Sequence, residues 1–500
     1  MLTLLTSAQT HEADAFTIKS QSISSNDLME KASGAFVKAF IAEFTNRDVS
    51  VSAYCGTGNN GGDGLAIARL LKDQGYDNLN VKIARFSPNS TIDFEGNLQR
   101  LGLTGIPITE ITSLEFPPED ADILIEALLG SGLNKPLKGE FKKLVEHLNA
   151  LGKTIVSVDV PAGFPSEGLI DPQSTIIKAE LVISFQRPKI NFFFPESAPF
   201  IKRFRFVDIG LDENFIQSQR GGWKLTKAED IQKIFKPRKP FSHKGTFGHA
   251  LIIAGNAETM GAALLCADAC LHSGAGLTTA CIPPEGLTAL NSRSPEVMAL
   301  IRNTEEKELE IDFKKYQAIG VGPGLGKGDA QARLLKYVLE HAQAPLVLDA
   351  DALNILSENQ NWMNILPAKS IITPHVKEFD RLFGEHDNWW ERVEACREQA
   401  AQHQLIIVLK NQYSFVILPD GDVLINPTGN PAMAVGGMGD VLTGMIVAFL
   451  AQGYRSEEAA ILACYIHGET GDVLNKKSRM NCIPPRYLIN ELPKTINSFY

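Results

Sequence analysis

The sequence predicts an α/β protein of two domains, each built around a largely parallel sheet. Three observations carry this expectation. Short apolar, β-branched runs alternate with stretches of helical spacing. Several of those runs end directly in glycine-rich turns, as strands of a doubly wound sheet do where they face a ligand. The alternation also breaks at a polar, glycine-rich stretch (Gln217, Ser218, Gln219, Arg220, Gly221, Gly222) and then restarts. At roughly 100–200 residues per domain, 500 residues imply two or three domains. The break, followed by Pro237 and Pro240, places the boundary between a first domain of residues 1–216 and a second of 223–500.

In the first half, strands are expected at Val49–Cys55, Asn80–Arg85, Asp122–Leu129, Thr154–Val158 and Glu180–Phe185. They are near-continuous apolar runs, the pattern of strands buried on both faces. Leu65–Lys72 has helical spacing and stops near Gly75. In the second half, strands are expected at Ala250–Ala254, Leu277–Ile282, Ala318–Val321, Leu346–Asp349, Ile371–Thr373, Ile406–Leu409 and Phe415–Leu418. Helices are expected near Gly261–Ser273, Asp440–Gln452 and Glu457–Lys476.

Composition excludes several classes of function. With 44% hydrophobic and 21% charged residues, the chain has the balance of an ordinary globular protein. A net charge of −10 argues against non-specific binding to nucleic acid or to an anionic membrane. No apolar run reaches the about 18 residues of a membrane span. The segment Met1–Phe16 lacks a basic start and meets His11, Glu12 and Asp14, unlike a secretory signal. The seven cysteines form no Cys-x-x-Cys pair and no His/Cys cluster with zinc spacing. They are expected to be buried free thiols in a cytoplasmic protein, with Cys266 and Cys270 on one helix face.

The run Cys55-Gly56-Thr57-Gly58-Asn59-Asn60-Gly61-Gly62-Asp63-Gly64 follows a strand and opens a helix. Its glycines let the backbone approach a ligand closely, and the helix start offers free N–H groups to an anion. Gly-x-Gly alone would fit a structural turn equally well; the full run with Asn59, Asn60 and Asp63 is far more specific. Two further strand ends should converge there: Glu126-Ala127-Leu128-Leu129-Gly130-Ser131-Gly132 and Val158-Asp159-Val160-Pro161-Ala162-Gly163. Asp159 stands where catalytic carboxylates lie in open α/β sheets, although capping of the turn before Pro161 is the alternative.

Together with Leu28-Met29-Glu30-Lys31-Ala32, these motifs resemble the N-terminal domain of the bifunctional NAD(P)H-hydrate repair enzymes, over about Met1 to Ile216. The resemblance implies a Rossmann-like epimerase domain. It implies that Asn59, Asn60, Gly61, Gly62, Asp63, Gly130, Ser131, Gly132, Leu133 and Asp159 bind the hydrated cofactor. Asp159 would be the catalytic acid/base at the epimerising carbon. A potassium ion would sit at Asn60, Glu126 and Ala162. The sequence departs from the family in having Glu126 for Asp and Ala162 for Ser, which removes one hydroxyl ligand and leaves backbone carbonyls to compensate.

In the second half, Gly429-Asn430-Pro431-Ala432-Met433-Ala434-Val435-Gly436-Gly437-Met438-Gly439-Asp440 leads into an apolar helix. Its glycines bare amides at a helix start, an anion hole for a phosphate in transfer. Asp440 at its mouth can take the proton of an attacking hydroxyl, the plain alternative being a helix-start charge. Strand-end turns frame the pocket: Lys244-Gly245, Gly248, Gly261-Ala262-Ala263, Ser273–Leu277, Gly320–Gly326, Asp349–Leu353 and Thr373–Phe379 with His375.

These pieces resemble the ribokinase-like fold, and more closely the ADP-dependent NAD(P)H-hydrate dehydratases, over about Trp223 to Leu492. The resemblance implies Asp440 as catalytic base. It implies contacts of Ala263, Gly322, His375 and Asp440 with the hydrated cofactor, and of Lys410, Asn411, Gln412, Tyr413, Ser414 and Gly439 with the nucleotide. The family usually has Gly where Asn411 stands, so altered loop packing is expected there. The whole chain would epimerise the R and S forms of hydrated NAD(P)H and dehydrate the S form, with ADP converted to AMP and phosphate. Mg2+ is expected for any such transfer, with ligands left unassigned. A homo-oligomer is expected from the resemblance, acting on small molecules without nucleic acid or membrane. Two alternatives stay open: a small-molecule kinase of the same fold, and a first domain that only binds protein or RNA.

Overall fold

In the computed structural model, described for residues 1–132, 135–219, 222–302 and 311–500, the chain forms two compact units. One comprises Thr3–Gly221 with Asn388–Trp390; the other comprises Met1–Leu2, Gly222–Asp387 and Glu391–Tyr500. Numbered along the chain, the strands are β1 Leu2–Thr3, β2 Val51–Cys55, β3 Leu79–Ala84, β4 Ile108–Ile111, β5 Ile123–Ala127, β6 Thr154–Val158, β7 Leu181–Phe185, β8 Phe204–Val207 and β9 Trp223–Leu225. There follow β10 His249–Ile253, β11 Leu277–Ile282, β12 Met298–Ile301, β13 Ala318–Val321, β14 Leu346–Leu348, β15 Ile371–Ile372, β16 Ile406–Leu409, β17 Phe415–Ile417 and β18 Val423–Ile425.

The first unit holds a seven-stranded sheet in the order β4-β3-β2-β5-β6-β7-β8. Every pairing in it is parallel. The order reverses between β2 and β5, which makes their carboxyl ends a topological switch point where ligands bind. The apolar residues of β2 and β5 are buried on both faces, which explains their unbroken hydrophobic runs. The helix Asn59–Asp73 then packs its first turn under the switch point. There, a Cβ on Gly61 would lie 1.9 Å from the Gly56 carbonyl oxygen, so only glycine permits this strand–turn–helix approach.

The other sheet has eleven strands in the order β1-β9-β18-β17-β16-β15-β14-β13-β10-β11-β12. Its section from β12 to β16 is parallel, and β16-β17-β18 is an antiparallel meander. The order reverses at β10, flanked by β13 and β11. The apolar helix Met438–Ala451 crosses β10, β13 and β14 and packs on the helix Met260–His272, forming the heart of the largest core. Cys266 and Cys270 are buried in that helix, as expected; Cys482 is exposed, which corrects the expectation of seven buried thiols.

Strand positions expected from apolar runs agree with the structure to within about two residues. Five strands besides β18 escaped that criterion: β1, β4, β8, β9 and β12. Four of them, β1, β4, β8 and β12, are the edge strands of the two sheets, and exposed residues interrupt the run in β4 and β8. β18 was missed as the return strand of the meander. Among the described residues, no helix is long and apolar enough to cross a membrane.

Candidate functional sites

In the first unit, the turn after β2 enters the helix Asn59–Asp73, whose first amides have no side-chain cap. Uncapped amides at a helix start are free for an anionic ligand. Asn59 is exposed at this start, whereas Asn60, Gly61, Gly62 and Asp63 are buried. Gly130 comes against Asn60, bringing the turn after β5 to the same place. Ser131 and Gly132 continue that turn at the surface; Leu133 lies outside the described residues.

Asp159 ends β6 with φ of +62°, a left-handed conformation that a non-glycine residue adopts at a cost. Its Oδ1 accepts from Phe185 N–H at 2.9 Å and from Ser184 Oγ at 3.1 Å, and Lys189 Nζ stands 2.8 Å from it. The carboxylate is therefore turned away from its own turn and fixed against the end of β7. All three donors use Oδ1, which leaves Oδ2 for another partner. Lys189 is itself buried at 4% exposure. It follows β7 by only a few residues, a strand-end position that the sequence reading did not use.

Glu126, at the end of β5, is 1% exposed. Its Oε1 accepts from Leu128 N–H at 2.9 Å, and its Oε2 from Ser157 Oγ at 2.8 Å and Ala162 N–H at 3.2 Å. The longer Glu side chain thus reaches the backbone of the residue where no side-chain hydroxyl is present. Burial pushes its carboxyl up to about 7, against the pull of those donors, and no cation pairs with it among the described residues. Asn60 Nδ2 is buried without a partner. Turning that amide by 180° would aim its oxygen there instead, and nitrogen and oxygen are interchangeable in such an assignment. A buried carboxylate and an orphaned amide fit a small cation. Ala162 could add only its carbonyl, which already accepts from Ile177 N–H at 3.0 Å.

In the other unit, the expected residues come from successive carboxyl ends of parallel strands. Ala263 follows β10, Gly322 follows β13, His375 follows β15 and Lys410 follows β16. At Gly322 (φ +126°) a Cβ would lie 1.8 Å from the Asp349 carbonyl oxygen, so the glycine lets β13 and β14 end side by side. His375 forms a lone parallel bridge with Lys410, and Lys410 N–H donates to the Pro374 carbonyl at 3.0 Å. The imidazole is half exposed and is also an N-cap: its Nδ1 accepts from Glu378 N–H at 3.2 Å. Residues 410–414 make the turn between β16 and β17, where Ser414 Oγ donates to the Asn411 carbonyl at 3.3 Å.

The helix Met438–Ala451 starts at Gly437 (φ +95°) without a side-chain cap, and Asp440 lies in its first turn. Burial, then Asp349, pushes the Asp440 carboxyl up to about 7, with Lys410 acting against them. Lys410 Nζ stands 2.8 Å from Asp349 Oδ1 and 3.9 Å from Glu378 Oε2. Burial works to lower the Lys410 ammonium, but Asp349 and Glu378 outweigh it and hold it above the usual value. Asp349 Oδ2 accepts from Thr443 Oγ1 at 2.8 Å. Glu378 and Thr443 were not singled out from sequence, because only the fold brings them beside Lys410 and Asp349. Among the described residues no group of three or more His, Cys, Asp or Glu could hold a metal ion.

Comparisons with known proteins agree with this division. Residues 250–494 match the family model described as NAD(P)H-hydrate dehydratase, and residues 25–191 match that of the YjeF-related protein N-terminus. The chain is 31% identical over 490 residues to a bifunctional NAD(P)H-hydrate repair enzyme of Thermofilum pendens, covering 94% of this chain and 92% of that one. A ribokinase-like superfamily protein from Enterococcus faecalis superposes with a TM-score of 0.50 at 29% identity, over 56% of this chain and 98% of its own. An ADP/ATP-dependent NAD(P)H-hydrate dehydratase from Bacillus subtilis, co-crystallised with ATP and Mg2+, does so with a TM-score of 0.50 at 31% identity, over 55% of this chain and 99% of its own. The C-terminal region therefore has the ribokinase-like fold.

Proposed function

The chain belongs to the family of bifunctional NAD(P)H-hydrate repair enzymes, and on that premise we propose a division of labour between its two sites. Residues 1–216 interconvert the R and S epimers of hydrated NAD(P)H, and residues 223–500 dehydrate the S epimer at the expense of ADP. The observation that carries the second activity is the placement of Asp440 in the first turn of an uncapped, glycine-framed helix, beside the Lys410–Asp349 pair.

In the dehydratase site, Ala263, Gly322 and His375 position the hydrated ring, and Asp440 receives the proton of its C6 hydroxyl. The hydroxyl oxygen attacks the terminal phosphoryl group of ADP, and AMP leaves. Lys410 and the amides around Gly439 face the charge that develops on the transferred group. Bound Mg2+ would neutralise phosphate charge during this step. The phosphorylated carbon then loses phosphate while a C5 proton departs, which restores the ring double bond. Lys410, Asn411, Gln412, Tyr413, Ser414 and Gly439 surround the nucleotide.

In the epimerase site, Asn59–Asp63 and Gly130–Leu133 bind the cofactor, with its pyrophosphate at the open helix start. Burial and the neighbouring acids raise the Asp63 carboxyl well above the usual range, so it can offer a proton as a hydrogen-bond donor. Asp159 presents Oδ2 to the epimerising carbon. Asn60 and Glu126, with the Ala162 carbonyl, would hold potassium, whose charge offsets the buried carboxylate.

The test is the near-ultraviolet absorbance of reduced nicotinamide after mixing the protein with both hydrate epimers, Mg2+ and either ADP or ATP. A nucleotide-dependent rise that consumes all the substrate is expected. A rise that stops near half would remove the epimerase reading. No rise with either nucleotide would favour a kinase of the same fold. Self-association, part of the same reading, is measured by light scattering.

A further inference from the structure

We propose that Lys189 is a positioning residue of the epimerase site: its buried ammonium grips one oxygen of the Asp159 carboxylate and thereby aims the other at the hydrated ring. The inference rests on the epimerase reading above and adds to it a residue from outside the glycine-rich turns.

The segment that carries Lys189 is fixed on both sides. β7 ends at Phe185, and Gln186 follows with φ of +57°. Its N–H donates to the Val207 carbonyl at 2.7 Å, and its Oε1 accepts from Ile209 N–H at 3.0 Å. Arg187 Nε donates to the Thr3 carbonyl at 3.0 Å, and its guanidinium pairs with Glu213. Pro188 then locks its own φ. Beyond Lys189 lies the buried turn of helix Ile190–Phe193. There, Asn191 N–H donates to the Ser166 carbonyl at 3.1 Å, and Asn191 Nδ2 donates to the Pro165 carbonyl at 2.9 Å. A backbone tethered on both flanks thus delivers Lys189 to the end of β6.

Its Nζ stands 2.8 Å from Asp159 Oδ1, and among the described residues Asp159 is its one ion-pair partner. The Lys189 side chain is 4% exposed and that of Asp159 13%. The lysine is sealed in while the carboxylate retains an accessible edge, so Lys189 acts through Asp159 and not on the substrate. Stability does not explain such a pair. Burying two charges is costly, and apolar replacements of a buried pair are often neutral or stabilising. Left-handed backbone at two non-glycine residues, Asp159 (φ +62°) and Gln186, adds to the cost. Both stand at the ends of the neighbouring strands β6 and β7. Strain and buried charge gathered there hold a functional group in one orientation. The other donors leave room for such a role. Ser184 Oγ lies 3.1 Å from Asp159 Oδ1 but also 3.2 Å from the Arg187 carbonyl, so two acceptors share its single proton. Lys189 supplies the charged donor and the counter-charge that fix Oδ1, and Oδ2 is left for the proton that moves at the epimerising carbon.

The test measures kcat and KM for interconversion of resolved R and S hydrates by the full chain, corrected for the spontaneous rate. Lys189→Met should lower kcat about 30-fold, because a carboxylate free to turn is misplaced, and leave KM within about threefold. Urea unfolding of the same chains reads the coupling to Asp159. Lys189→Met should destabilise the chain when Asp159 is present and should not when Asp159→Asn accompanies it. If the Lys189→Met chain does not unfold cooperatively, Lys189→Gln, which leaves a polar group beside Asp159, carries the same expectation for kcat. ADP-dependent dehydration of the S hydrate by the same samples should stay at the wild-type rate, which shows the loss to be local. A Lys189→Met chain with the wild-type kcat overturns the inference. So does a loss carried by KM alone, since Lys189 would then serve substrate binding. A destabilisation that is the same with and without Asp159→Asn also overturns it, since Lys189 would then act independently of Asp159. A wild-type chain that dehydrates the S hydrate but interconverts nothing would instead overturn the epimerase reading itself.

Discussion

Lys410 Nζ stands 2.8 Å from Asp349 Oδ1, and the other oxygen of that carboxylate accepts from Thr443 Oγ1 at 2.8 Å. Asp349 is 1% exposed and sits directly before Ala350, whose φ of +50° turns the chain sharply at the end of β14. One buried carboxylate thus ties the ammonium at the end of β16 to the helix that carries Asp440. Removing it would strand Lys410 without its nearest counter-charge and release Thr443.

Asp349→Ala should therefore cost about 3 kcal/mol in stability, the scale for breaking a buried pair from one side. It should also lower the dehydration rate by more than tenfold. Denaturant unfolding and turnover of the S hydrate measure the two effects, and unchanged epimerisation in the same samples would localise the damage.

Asp440→Asn should reduce dehydration by about 100-fold or more, as loss of a general base does, and leave epimerisation intact. With the Asp440 carboxyl near 7, the wild-type dehydration rate should rise with pH through about 7 as the base loses its proton. A pH-independent rate across that interval, or an Asp440→Asn chain at full rate, would remove Asp440 from the role of base.

Glu126 gives a stability prediction with a defined sign. Its folded-state value, near 7, lies above its ordinary 4.5, so the folded state holds the proton more tightly than the unfolded state. Stability from this group is present below about 4.5 and is lost progressively as pH rises to about 7, a loss of up to about 3 kcal/mol. Potassium, if held at Glu126, should restore part of that loss above pH 7 and should raise the epimerisation rate. Urea unfolding and R/S interconversion in potassium against lithium chloride measure both. Equal behaviour in the two salts would show that this chain works without the cation.

Gly61→Ala places a Cβ 1.9 Å from the Gly56 carbonyl oxygen. The turn after β2 must open to accommodate it. Loss of epimerisation is expected, with a destabilisation of about 3 kcal/mol or more. Dehydration of the S hydrate should persist, which separates a local defect from a global one.

Much of this was legible in the sequence, for identifiable reasons. Parallel strands buried on both faces read as unbroken apolar runs, so β2, β5, β6, β10, β11, β13 and β16 stand out. Edge and return strands such as β4, β8 and β18 lack that signature. Glycine-rich turns at strand ends marked Asn59–Asp63 and Gly436–Asp440, because close backbone approach leaves no room for a side chain. His375 was legible as a strand-end residue, but its second employment as a helix cap required the geometry.

The sequence by itself determined the two α/β halves, the strand ends at which ligands would lie, and the family, because these depend on local periodicity and contiguous motifs. Only the tertiary structure decided which distant side chains share a site. Lys189 reaching Asp159, and Glu378 and Thr443 closing on the Lys410–Asp349 pair, join residues that no spacing rule connects. The same holds for the environment of each acid. Burial moves Glu126 to about 7, and burial with the neighbouring Asp349 moves Asp440 to about 7, properties of packing that the identity of the residue does not contain.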